Sequence, residues 1–158
     1  MALAIKSKAF CSCGDLPARF TGEGQDISPP LEWTGVPETC RALVLLCEDR
    51  DAAAKTGSLW VLFNLPASLR ELPENAGEAE ICTAGGRHGQ NDSGRRGYSG
   101  PKPRFGTHRY YFRIFALDTE LPLACGATRA DVLKAMEGHI LDSGECIAIY
   151  TRGSARPR

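Results

Sequence analysis

The run 41-RALVLLCED-49 is the tightest constraint on the fold: it is apolar at every position from Ala42 to Cys47 and then stops at two carboxylates. A strand wetted on one side alternates apolar and polar residues, so an unbroken run belongs to a strand covered on both faces. The chain must therefore build layers on either side of this segment. Further strands are expected at Ala2–Phe10, Leu59–Leu65, His108–Leu117 and Cys146–Thr151, from aliphatic, β-branched and aromatic residues bounded by turn formers. Within RYYFRIFALD, Arg113 stands among apolar neighbours, so one face of that strand is expected to meet water or a polar site. One helix is legible, in TRADVLKAMEGHI. Thr128 and Asp131 form a capping box, Val132, Leu133, Met136 and Ile140 recur at helical spacing, and Gly138 ends or interrupts it. A short turn around Ala67–Leu72 also reads as helical. Strands dominate without βαβ alternation, which predicts a mostly-β sandwich. A single domain is expected over residues 1–152, with residues 153–158 as a disordered tail.

Charge excludes some function classes. Lysine plus arginine equals aspartate plus glutamate, 19 each, so no global field recruits nucleic acid or a membrane surface. No apolar run has the length of a transmembrane helix, and the N-terminal stretch reads as a strand rather than a leader. Seven scattered cysteines (Cys11, Cys13, Cys40, Cys47, Cys82, Cys125 and Cys146) read as reduced thiols, and a cytoplasmic location is expected. A homodimer is plausible, because isolated sandwiches often pair.

Residues 85-GGRHGQNDSGRRGYSGPKPRFG-106 stand apart. Glycines permit close backbone approach to a ligand, and Arg87, Arg95, Arg96, Lys102 and Arg104 favour an anion over the single acid Asp92. Tyr98, Phe105 and the prolines argue for a packed loop with a function. No phosphate-binding P-loop, dinucleotide fingerprint, nucleophile elbow or HExxH is present. Asn91-Asp92-Ser93 matches a glycosylation acceptor, which is idle without export. Cys11-Ser12-Cys13 lacks the second ligand pair of a structural zinc site, so no metal and no cofactor is assigned. Cys47 adjoins acids, which raise a thiol pKa and work against a nucleophile. Asp49 and Asp51 fall on one side of an extended chain with Arg50 on the other. Such a pair beside a histidine can chelate a metal, share a proton or bind a polar head group; spacing alone does not separate these from a solvated strand end.

Taken in order, 20-FTGEGQDISPPLEW-33, 49-DRDAA-53, 60-WVLFNLP-66, 91-NDSGRRGYSGPKPRFGTHRYYFRIFALD-118 and 138-GHILDSGECIAIYTR-152 resemble the phosphatidylethanolamine-binding protein family. The resemblance is to its bacterial and archaeal YbhB/YbcL-like branch, related to Raf kinase inhibitor protein. It implies a β-sandwich of two sheets with a few peripheral helices and a small end pocket for phosphate-like anions or small phospho-ligands. Asp49, Asp51, Leu59, Trp60, Gly100, Pro101, His108 and Tyr110 are the residues it brings to that pocket. It also implies a non-enzymatic binding protein with a kinase or protease as partner. The alternatives are a metal- or water-dependent hydrolase using Asp49, Asp51 and His108, and an interaction protein that has lost its ligand.

Four departures bear on that expectation. The family's DPDAP is Asp49-Arg50-Asp51-Ala52-Ala53 here, losing two stiffening prolines. Lys102 and Arg104 add charge after Gly100-Pro101, and Ser93 replaces a frequent phenylalanine. Most consequentially, Leu59 stands where bacterial members carry a donor histidine before Trp60. One hydrogen bond to a charged group is worth about 1.5–3 kcal/mol, so anion binding is expected to be weakened tenfold or more.

Overall fold

The structure is a computed structural model and describes residues 2–52, 57–76, 85–102 and 106–152. Among these, the elements follow in the order β1 (Ala4–Lys6), β2 (Gly14–Asp15), β3 (Leu31–Thr34), β4 (Ala42–Asp49), β5 (Ser58–Pro66), β6 (Glu71–Leu72), β7 (Arg87–His88), β8 (Thr107–Leu117), α1 (Arg129–Met136) and β9 (Ile140–Thr151). They form a six-stranded sheet in the order β2-β9-β8-β4-β5-β7 and a three-stranded sheet in the order β1-β3-β6. The expected two-sheet, mostly-β sandwich is the observed fold.

The apolar run of β4 lies inside the larger sheet, with every residue from Ala42 to Glu48 buried. Leu43, Leu45 and Cys47 turn to one face, where Trp60, Leu62, Phe112 and Ile114 meet Leu31 and Trp33 of the smaller sheet. Val44 and Leu46 turn to the other, where Val61, Phe63, Phe115 and Leu117 meet Val132 and Met136 of α1. Strand alternation thus divides one apolar run between two cores. The α1 capping box is present in both directions, between Thr128 and Asp131.

Several boundaries differ from those expected. β1 covers only Ala4–Lys6. The helix stops at Met136, Gly138 reverses the chain at φ +79°, and β9 begins at Ile140 rather than Cys146. Ile140 is 47% exposed, so its helical spacing from Met136 is coincidental. Residues 67–68 form a plain turn and the segment ends in β6, not in a helix. The glycine-rich segment carries β7 and a bridge from Gln90 to Arg96. Arg104, Phe105, Ala53, Cys82 and the tail at 153–158 lie outside the described residues.

Two irregularities in the β4–β5 pairing matter. Near its middle the register shifts beside Asn64, which has φ +55°. Asn64 tolerates that left-handed conformation, and its amide clamps Leu121 by donating to its carbonyl and accepting from its N–H. At the end of β4 the register shifts again: Cys47 faces Trp60, but Glu48 faces Ser58. Leu59 is the extra residue. It packs, half-buried, against the same core as Trp60.

Candidate functional site

Antiparallel pairing brings three of the expected residues, Asp49, His108 and Tyr110, to one end of the large sheet. Asp49 lies opposite Tyr110, and His108 lies opposite Tyr150, so the C-terminal end of β4 meets the N-terminal part of β8 and the end of β9. His108 Nδ1 is 2.6 Å from Asp49 Oδ2, and both side chains are largely buried, at 17% and 8% exposure. An ionised carboxylate only accepts, so this contact holds the histidine proton on Nδ1 and turns Nε2 away from Asp49. The imidazole stacks on Tyr110, with ring centroids 6.3 Å apart. Asp49 Oδ1 accepts the backbone N–H of Asp51 and closes the turn that follows β4.

Two buried polar groups on this face have no partner among the described residues: the Tyr110 hydroxyl and Trp60 Nε1. A buried group left without a hydrogen bond costs about 1–3 kcal/mol, and natural proteins retain few of them. Burial, then the charge of Asp49, pushes the Tyr110 phenol far above its ordinary pKa. It is therefore a neutral donor at physiological pH, not a base. Trp60 is held between His88, stacked at 6.2 Å, and Tyr98, edge-on at 5.4 Å.

Asp51 is placed differently from Asp49. β4 ends before it, and its carboxylate accepts from the Arg109 backbone N–H at 2.8 Å, Nε at 3.1 Å and Nη2 at 3.0 Å. Those bonds hold its carboxyl below the usual carboxylate range, the guanidinium contributing most. Both oxygens are occupied, so Asp51 braces the strand end. Arg50 turns to the opposite side of the sheet and stacks on Tyr111 at 4.4 Å.

The Gly100–Pro101 segment packs on the chain at residues 20–22 and offers no free amide. The Gly100 N–H donates to Asp26 Oδ1, Pro101 has none, and the Pro101 carbonyl accepts from Gly22. A Cβ at position 100 would come within 2.5 Å of the Phe20 carbonyl oxygen, so this glycine serves close backbone packing. Tyr98 donates to the same carbonyl, and Tyr150 donates to Glu23. Leu59 sits beneath this loop, its carbonyl accepting from the Ser99 N–H and from Asn91.

Asn91 organises the loop and was not legible as doing so. Buried at 3% exposure, its amide donates to the carbonyls of Leu59 and Gly97 and to Ser99 Oγ. Its oxygen accepts from Ser93 N, Ser93 Oγ and Arg95 N. Asp92 and Ser58 exchange two further bonds. The only hint in the sequence is the Asn-Asp-Ser cluster itself, whose short polar side chains favour local backbone bonding.

Cys47 and Cys146, on this face, are free thiols. Burial pushes Cys47 well up, with Glu48 adding to it, and pushes Cys146 up to about 12. Neither is a nucleophile. Among the described residues no group of three or more His, Cys, Asp or Glu could hold a metal ion, and no helix is long and apolar enough to cross a membrane.

A family model described as phosphatidylethanolamine-binding protein matches residues 6–151. A UPF0098 protein of Methanothermobacter thermautotrophicus is 48% identical over 149 residues, covering 94% of this chain and 99% of its own. The fold superposes on a phosphatidylethanolamine-binding protein homolog, CT736, from Chlamydia trachomatis with a TM-score of 0.85, at 33% identity and covering 96% of this chain and 98% of that one. It also superposes on YbcL of E. coli, described as a member of the mammalian PEBP family, with a TM-score of 0.87, at 28% identity and covering 96% and 99%.

Proposed function

The chain belongs to the phosphatidylethanolamine-binding protein family, and from that premise we propose that it is a non-enzymatic binding protein whose ligand is a small phosphate-like anion held at the His108 end of the large sheet. The observation that carries this reading is the buried Tyr110 hydroxyl, which has no hydrogen-bond partner among the described residues and lies beside an imidazole anchored by Asp49. A donor kept dry and unpaired is waiting for an acceptor. Trp60 Nε1 is the second such donor. Leu59 makes this a weak anion site: it presents a methyl-bearing wall where a hydrogen-bond donor would strengthen the complex. Millimolar affinity for the phosphoryl group alone is the expected regime, and any apolar substituent on the ligand would meet Leu59.

A hydrolytic role fits the geometry poorly, because Asp49 is spent on His108 and Asp51 on Arg109. The family supplies a further expectation, modulation of a kinase or protease. The loss-of-ligand reading is favoured by two observations, the Leu59 side chain and the Gly100 N–H already given to Asp26. Calorimetric titration with phosphorylethanolamine separates them. Saturable binding that is lost in Tyr110→Phe and His108→Ala supports the pocket. Absence of heat and of competition at millimolar ligand favours an interaction protein without one.

A further inference from the structure

Glu48 immediately precedes Asp49 and points the opposite way, towards α1. Its side chain is only 7% exposed, yet three guanidinium groups reach it from β8, α1 and the turn after β4. Arg129, the first residue of α1, brings Nη2 to 2.8 Å; Arg113 of β8 brings Nη1 to 3.3 Å; Arg50, after β4, brings Nε to 4.0 Å. A buried carboxylate is satisfied by one or two well-placed guanidinium forks. Here three cations surround it, and Arg113 alone also reaches a second acid among the described residues, Glu145, at 3.9 Å and 46% exposed. Positive charge is in surplus.

The surplus is also one of donors. Arg129 Nε is buried and bonds nothing among the described residues, and Arg50 is joined to Glu48 at ion-pair distance only. Ser58 lies opposite Glu48 in the β4–β5 register, is 4% exposed, and its hydroxyl has no partner among the described residues. The guanidinium planes are held in place by stacking, Arg50 on Tyr111 at 4.4 Å and Arg113 on Phe115 at 4.9 Å. Arginines pinned this way lose little freedom on binding and present forked N–H edges that match a tetrahedral oxyanion. The first turn of α1 adds its partial positive charge at the same point.

We infer that Arg50, Arg113 and Arg129, gathered by Glu48, form a second anion site that takes the phosphoryl group of a small phosphate monoester. It lies across the sheet from the His108 site and shares no side chain with it. Glu48 acts as the template that holds the arginines together in the empty state.

The experiment follows the arginine Nε–H resonances by NMR while inorganic phosphate or phosphorylethanolamine is added, against sodium chloride at matched ionic strength. Saturable shifts of Arg113 and Arg129 are expected with both probes, in the native protein and equally in His108→Ala. Arg129→Gln, at a partly exposed helix position, and Arg50→Gln should each weaken that binding roughly tenfold or more while leaving the Trp60 indole response intact. The inference is overturned if chloride produces the same shifts, if neither probe gives saturation, or if both variants bind as the native protein does. Binding of phosphorylethanolamine without binding of phosphate would move recognition to the amine and overturn the phosphoryl assignment.

Discussion

The two faces of the large sheet treat adjacent carboxylates in opposite ways. On the face towards the small sheet, Asp49 meets one imidazole, and the donors of Tyr110 and Trp60 have no hydrogen-bond partners among the described residues. On the face towards α1, Glu48 meets three arginines and cation is in excess. The pleat alone separates them, because successive side chains of a strand leave on opposite sides. The first face is assembled from strand ends and loops pinned to each other. The second is assembled from the middle of β8 and the start of α1, and its charge surplus gives it the stronger electrostatic claim on an anion. Two residues that read as one acidic strand end thus anchor two different side-chain clusters.

That contrast can be attacked first at Glu48. Glu48→Gln leaves three partly exposed arginines gathered around a buried amide, and is expected to cost about 2–4 kcal/mol, read from urea denaturation. The largest loss on the other face should come from the loop. Gly100→Ala places a Cβ against the Phe20 carbonyl and the Thr21 backbone, for about 1–3 kcal/mol. Asp49→Asn removes a charge-assisted bond to His108 and should cost about 1–2 kcal/mol, less than Glu48→Gln. If Asp49→Asn proves the more damaging of the two, the ranking of the faces is wrong.

The smallest expected effect concerns acid. Asp51 has its folded pKa depressed, chiefly by the Arg109 guanidinium, so its contribution is present above the unfolded carboxylate value of about 4 and disappears as pH falls through the lower folded value. Stability curves should therefore steepen below pH about 4 in the native protein and flatten slightly in Asp51→Asn. Identical curves would mean that the Asp51–Arg109 contact is not held in solution.

What could be read from the chain divides along physical lines. β4, β5, β8 and the capped helix were legible because each carries a hydrophobic pattern long enough to outweigh local noise. β2, β6 and β7 are two residues each, too short for any pattern, and exist only because a neighbouring strand receives them. The start of β9 was hidden by Ile140, which continues the helical spacing in sequence but is exposed in space. At the candidate site, the family resemblance named Asp49, His108 and Tyr110, which the fold brings together, and Gly100, which it turns to packing. The roles of Asp26 and Glu48 were illegible because the partners they hold are distant in sequence: Asp26 holds Gly100, and Glu48 holds Arg129. Glu48 simply looked like the end of an apolar run. The bulge that places Leu59 beside Trp60 depends on how β4 and β5 pair, and no local motif announces it.

The claim that the His108 end binds a phosphoryl anion is tested most directly by the Trp60 indole N–H resonance during titration with phosphorylethanolamine, in the native protein and in Leu59→His. A saturable shift with a millimolar midpoint is expected in the native protein, and a midpoint roughly tenfold or more lower once the added imidazole donates to the anion. An indole resonance that stays still in both proteins would contradict it.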